Sequence, residues 1–119
     1  MGNFSQAAAQ WPLSADFTSN VLNITNKRYG GMFQVNWVNS DSAAGILKFQ
    51  LSNDEVKWQD WTGLRTTDSA AVNEAPISIG DDSQNWEVKN WTGRYIRLVY
   101  VANGTTTGTA SLFIHNSRA

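Results

Sequence analysis

Apolar and polar residues alternate with a period of two along much of this chain. In MFQVNWV, Phe33, Val35 and Trp37 fall on one side while Gln34 and Asn36 fall on the other. In ILKFQLS, Leu47, Phe49 and Leu51 oppose Lys48 and Gln50. Such alternation predicts antiparallel strands buried on one face. The intervening NSDSAAG reads as a turn, making the two a hairpin-like pair. Further strands are predicted at Val21–Thr25, Pro76–Gly80, Trp86–Lys89, Arg94–Val101 and Thr109–His115. Turn chemistry marks KRYGG, SNDEVK, GDDSQN and ANGTTTG between them. No segment holds a helical period, and SQAAAQW has room for one turn at most. About seven to eight short strands at intervals of roughly a dozen residues predict an all-β protein, a single antiparallel β-sandwich. With no linker in sight, residues 1–119 read as one domain, with 1–18 as an N-terminal arm.

The segment RYIRLVYV breaks the pattern. Ile96, Leu98 and Tyr100 alternate with Tyr95, Val99 and Val101, and only Arg94 and Arg97 interrupt the apolar run. A strand buried on one face has polar residues on the other. The second face is therefore expected to be covered, by the arm or by another subunit. The alternative is an exposed face of Tyr and Val chosen for strand propensity.

Composition narrows the partners. A chain of 119 residues can bury roughly two-thirds of its surface as one domain. Charged residues are 16% of the chain, below the ~25% of ordinary soluble domains, and there are six tryptophans. The net charge is −1 with no run of Lys or Arg, so a nucleic-acid partner is not expected. The absence of cysteine removes disulfides, thiolate metal sites and cysteine nucleophiles. MGNFSQAAAQWPLS lacks the basic start and apolar run of a signal peptide, and Gln6 spoils a myristoylation pattern. No segment approaches the ~20 apolar residues that span a bilayer. A soluble product made in the cytoplasm, without membrane attachment, is expected.

Several motifs have physical roles of their own. In SNDEVKW, Asn53 and Asp54 can cap a tight turn, and Trp58 can fold back as a plug on the sandwich edge, burying on the order of 200 Å². In GTTTG, Gly104 and Gly108 are free to take positive φ. Beyond these local roles, LKFQLSNDEVKWQDW followed by GRYIRLVYVANGTTTGTASLFI resembles small β-sandwich virion proteins of tailed phages, similar in architecture to discoidin-like jelly rolls. The resemblance covers roughly residues 45–115. It implies a non-enzymatic virion structural protein, most concretely a capsid decoration (cement) protein. Such a protein would self-associate, a trimer being favoured, and dock on the major capsid protein or other virion proteins. Its location would be the virion, after synthesis in the host cytoplasm. Trp11, Phe17, Tyr95 and Val99 are the candidate interface residues, with Trp11 anchoring the arm on this or a neighbouring subunit.

Catalytic and metal chemistry finds little footing. His115 is the single histidine and lies near the C-terminus, so no triad or histidine metal site is assigned. The acidic turns Asp54-Glu55 and Asp81-Asp82 lack the alternating ligand spacing of an EF-hand and read as turn caps. No catalytic residue, cofactor or metal is predicted. The Asn-x-Ser/Thr matches at Asn3, Asn23, Asn90 and Asn103 are treated as chance.

The tryptophans leave a second class open. Trp58, Trp61, Trp86 and Trp91 are candidates for stacking on sugar rings, as in a carbohydrate-binding module of a spike or fibre. The competing reading is packing: Trp37 belongs to the core by alternation, and Trp58 and Trp86, each following an acidic turn, read as edge plugs. Trp-Thr-Gly occurs at Trp61 and again at Trp91, at strand ends where Gly63 and Gly93 permit sharp exits. The offset between the two is too loosely matched for a repeat.

Overall fold

The computed structural model describes residues 6–23, 31–61, 63–65, 71, 72, 74–88 and 94–116; side chains are described for all of these except 6–8, 63–65, 71, 72, 88, 115 and 116. Every regular element is a strand. In chain order they are β1 (Gln6–Pro12), β2 (Phe17–Thr18), β3 (Leu22–Asn23), β4 (Gly31–Ser40), β5 (Ile46–Ser52), β6 (Gln59–Trp61), β7 (Gly63–Arg65), β8 (Ala71–Val72), β9 (Glu74–Pro76), β10 (Gly80–Val88), β11 (Tyr95–Val101) and β12 (Thr109–Asn116).

These strands form two antiparallel sheets packed face to face. The first runs β1-β12-β4-β10-β7-β8. In the second, β11 and β5 lie at the centre; β2 and β3 share the rank outside β11, while β6 and β9 share the rank outside β5. The result is a sandwich of six strands against four ranks, and the predicted fold class holds.

Alternation explains the core. Phe33, Val35 and Trp37 of β4 meet Leu47 and Phe49 of β5 and Ile96, Leu98 and Tyr100 of β11, all buried. An aromatic cluster ties the sheets together. Phe33 stacks on Phe49 with centroids 4.3 Å apart, and the rings of Trp61 and Trp86 stand edge-on to Phe49 at 5.9 and 5.1 Å. Offset and edge-to-face pairs of this kind add to the area they bury.

Three expectations are corrected. The two clearest strands do not form a hairpin: β4 lies in the first sheet and β5 in the second, so the 41–45 connection crosses between layers. Residues 6–18 join the sandwich as strands, with β1 pairing β12 through Pro12↔Thr109 and Trp11↔Ala110 and β2 pairing β11. The Ala-rich stretch is thus strand rather than a helical turn. Finally, GDDSQN is not a turn. Gly80–Val88 is one strand that pairs with β4 along its length and with β7 at Trp86 and Glu87, and the β4 ladder fixes it despite its polar sequence.

Candidate functional site

The tryptophans divide sharply by location. Trp86, near the end of β10, is 1% exposed, and Trp11 and Trp37 are equally interior. Trp61 is half-buried against Phe33 and Phe49. Trp86, Trp11 and Trp37 therefore present no free ring face for a sugar. Trp86 in particular is a core residue and not an edge plug, because its strand is central. Trp91 lies outside the described residues. Trp61 ends β6 in the second sheet and Gly63 opens β7 in the first, so the first Trp-Thr-Gly marks the point where the chain changes layer.

Trp58 is different. It is half-buried on the outward side of the second sheet, where the Arg97 guanidinium lies over its ring at 4.1 Å. Arg97 is held in place by Gln50, donating to its Oε1 through Nε and Nη2 at 2.9 and 2.8 Å. Gln50 Nε2 in turn donates to Asp60 Oδ1, which also pairs with Lys48 Nζ at 3.4 Å. The chain of contacts follows the register, since Arg97, Gln50 and Asp60 stand opposite one another across β11, β5 and β6. Alternation alone shows each strand's outward residues; the pairing that assembles them needed the fold.

Beside this ladder, Leu51, Ser52, Asn53, Asp54, Lys57 and Gln59 line an open concavity of about 340 Å³. Its floor is a tight turn. Asp54 Oδ1 accepts from the Val56 and Lys57 amides at 2.9 and 3.0 Å, and Ser52 Oγ accepts from the Asp54 and Glu55 amides. Those amides, with the Ser52 hydroxyl, hold the Asp54 carboxyl below the ordinary carboxylate range. The cap expected at Asp54 is present, and Ser52 is a partner that sequence reasoning missed. The Ser52 hydroxyl and the Val56 and Lys57 amides all meet the same oxygen, Asp54 Oδ1, which commits that oxygen to the turn.

The opposite end of the sandwich is stapled. Asp41 accepts from the amides of Thr106 and Thr107 at 3.0 and 3.3 Å and from the Thr106 hydroxyl, which binds the β4–β5 loop to the β11–β12 loop. The Thr106 contacts come first among those that lower its carboxyl. Asp81 Oδ1 accepts from the Asn39 amide at 2.8 Å, and Asp16 Oδ1 accepts from the Ala102 amide at 2.8 Å. Gly104 and Gly108 adopt φ of 89° and 114°, as the GTTTG turn requires. The acidic residues here are structural caps, and no group of three potential metal ligands is found among the described residues. His115 lies in the backbone of β12, but its side chain is outside what is described.

The four candidate interface residues do not share a surface. Trp11 is 2% exposed, stacked on Phe17 at 4.9 Å and tilted against Tyr100 at 6.1 Å. It anchors β1 to its own sandwich because its side chain faces inward beside Ala110. Trp11 is thereby removed as an intersubunit contact. Tyr95 and Val99 do face outward from β11, on either side of Arg97, and are half-buried. The Trp58–Arg97 stack covers part of that face, a role first expected of the arm or another subunit.

Comparisons with known proteins define the fold class and nothing finer. No family model matches the chain, and no curated protein matches it by sequence. Among solved structures it is similar to the SPBc2 prophage-derived protein YomS, with a TM-score of 0.67 and 13% identity over 97% of this chain and 93% of that one. It is also similar to PirA, with a TM-score of 0.54 and 10% identity over 93% of each. A carbohydrate-binding module from Cellvibrio mixtus lichenase 5A, in complex with cellotriose, aligns with 99% of this chain and 88% of its own, at 9% identity and a TM-score of only 0.45. That distance carries no argument about ligands.

Proposed function

We propose that this chain is a non-enzymatic structural protein of a phage virion, most concretely a capsid decoration protein that self-associates and docks on the major capsid protein. The observation that carries this reading is the whole-chain likeness to a prophage-derived sandwich, with a TM-score of 0.67. Two features of the chain support it. Most of the described aromatic side chains, Trp58, Tyr95 and Phe113 apart, are invested in packing, and the loops at one end are clamped by carboxylate caps. That construction suits a rigid building block. The outward face of β11 and β5 adds an apolar strip in which Val101 stands opposite Ile46 and Ile46 opposite Pro76, with Val99 adjacent. This strip, with Tyr95, is the proposed contact with a second copy, a trimer being the favoured assembly.

The test is direct. Purified virions of the phage that encodes this chain should contain the polypeptide by mass spectrometry, at a copy number that is a multiple of the capsid lattice. Recombinant protein should rebind to particles stripped of it. Homogeneous particles lacking the polypeptide would sink the reading.

A further inference from the structure

The outward face of the first sheet is almost free of charge. Because Phe33, Val35 and Trp37 turn inward, Gln34 and Asn36 turn outward, and register extends that face across the neighbouring strands. One row reads Gln10, Ser111, Asn36, Ser83 across β1, β12, β4 and β10. The next reads Phe113, Gln34, Asn85. At ~4.8 Å between strands, the four-residue row is about 14 Å long. Among the described side chains of this face the charges lie at the margins, Glu87 beside Met32 at one end of β10 and Asp81, two residues before Ser83, at the other. The outward face of the second sheet is unlike it, carrying Lys48, Asp60 and Arg97.

The amides of these rows are only partly spent on one another. Gln10 Nε2 donates to Ser111 Oγ at 3.2 Å, and Gln34 Nε2 donates to Asn36 Oδ1 at 2.7 Å. Asn85 Oδ1 is enclosed without a hydrogen-bond partner. A side-chain amide offers two donors and a two-lone-pair acceptor, and a hydroxyl can answer either half. A protein surface closing over these rows must match each amide or lose about 1–3 kcal/mol per unpaired group. Protein interfaces are also depleted in Ser at their centres and enriched in aromatic residues and Arg. An uncharged, hydroxyl-rich chain meets neither objection.

We infer that this face binds a neutral polysaccharide, laid across β1, β12, β4 and β10. Gln10, Gln34, Asn36 and Ser83 exchange hydrogen bonds with sugar hydroxyls, while Phe113 and Met32 pack against the apolar C–H faces of the rings. The site uses none of the four tryptophans first considered for sugar contact. It does not depend on the capsid reading, because a glycan-binding face can belong to a virion protein or to another module.

The experiment is affinity electrophoresis of the full chain in gels containing laminarin, dextran, galactomannan or hydroxyethyl cellulose. It is followed by ¹H–¹⁵N NMR titration with a hexasaccharide of whichever polymer retards the protein. Retardation by at least one polymer, insensitive to added salt, is expected, since no ion pair contributes. Amide shifts should cluster at residues 10, 34, 36, 83, 85 and 111. Losing two hydrogen bonds of about 0.5–1.5 kcal/mol each, the Gln34→Ala/Asn36→Ala variant should bind roughly tenfold more weakly, and Trp58→Ala should bind as the parent does. No retardation by any of the four polymers overturns the inference. So do shifts centred on residues 51–59, or concentration-dependent shifts of the same face without sugar, which would assign it to a second copy of the chain.

Discussion

The hydroxyl of Tyr100 donates a 2.9 Å hydrogen bond to the carbonyl oxygen of Leu13, joining β11 to the β1–β2 loop across 87 residues of sequence. Both residues are fully buried, and Leu13 N donates in turn to the Gly108 carbonyl at 3.0 Å. The N-terminal segment is therefore locked to the sandwich at its turn as well as along β1. Replacing Tyr100 by Phe keeps the ring against Trp11 but leaves the Leu13 oxygen buried and unpaired. A loss of about 1–3 kcal/mol is expected. It should appear in urea unfolding as a lower midpoint with an unchanged m-value. An unchanged midpoint would show that the contact contributes nothing net.

Gly45 marks the other side of the same ring. A Cβ placed there would lie 2.5 Å from the Tyr100 hydroxyl oxygen and 2.9 Å from Ile77 Cδ1. Gly45→Ala should therefore cost about 1–3 kcal/mol by overpacking. Removing the hydroxyl relieves the closer contact. The double variant Gly45→Ala/Tyr100→Phe should accordingly lose less than the two single losses combined. Strict additivity in the double-mutant cycle would separate the two residues energetically.

The strands that sequence revealed most fully are those in which one face is apolar throughout, β4, β5, β11 and β12, while the predictions at Val21–Thr25 and Trp86–Lys89 caught β3 and the end of β10. The alternation in the first four is a direct imprint of burial on one side. Strands that stayed hidden, wholly or in part, had other reasons to form. Along β10, Trp86 is buried while Gln84, on the same face, is not apolar at all, so the period vanishes although pairing with β4 holds the backbone. In β1, a run of three Ala residues leaves no period to read in the sequence. Pairing was harder still. β4 and β5 are adjacent in sequence and alternate alike, yet local pattern cannot say whether a five-residue connection stays in one sheet or crosses to the other. The same gap hid the Lys48–Asp60–Gln50–Arg97 ladder and the amide rows, whose members lie far apart in the chain and meet only through register.

Stability should respond to pH through the loop caps. The Thr106 hydroxyl and amide hold Asp41 below the ordinary carboxylate range, and the Lys57 and Val56 amides do the same for Asp54. A carboxyl with a depressed folded pKa favours the folded state fully above its unfolded pKa. That contribution is lost as the pH falls through the folded value. Acid should lower the thermal midpoint of the parent chain more than that of Asp41→Asn/Asp54→Asn, so the two curves converge below the ordinary carboxylate range. Burial pushes the Tyr100 phenol the other way, so its contribution is present below the ordinary phenol pKa and is lost at alkaline pH. Parallel curves for parent and variant across the acid range would contradict the assignment.

The sharpest contrast lies between two tryptophans that read alike in sequence, each following an acidic turn. Trp86 is interior, edge-on to Phe49, and Trp86→Ala should cost about 3–5 kcal/mol through lost contacts and the cavity left behind. Trp58 is half-buried beneath Arg97, and an exposed cation–π pair contributes only about 0.5–1 kcal/mol. Trp58→Ala should thus leave the fold near parental stability, while Arg97→Ala bares the Trp58 ring to water. Arg97→Ala should raise iodide quenching of tryptophan fluorescence, and that increase should vanish when Trp58 is also replaced. Trp86→Phe should leave quenching of the surface component unchanged, because the ring it removes never met solvent. Equal destabilisation by Trp58→Ala and Trp86→Ala would place Trp58 inside the sandwich after all, as the plug its sequence position suggests.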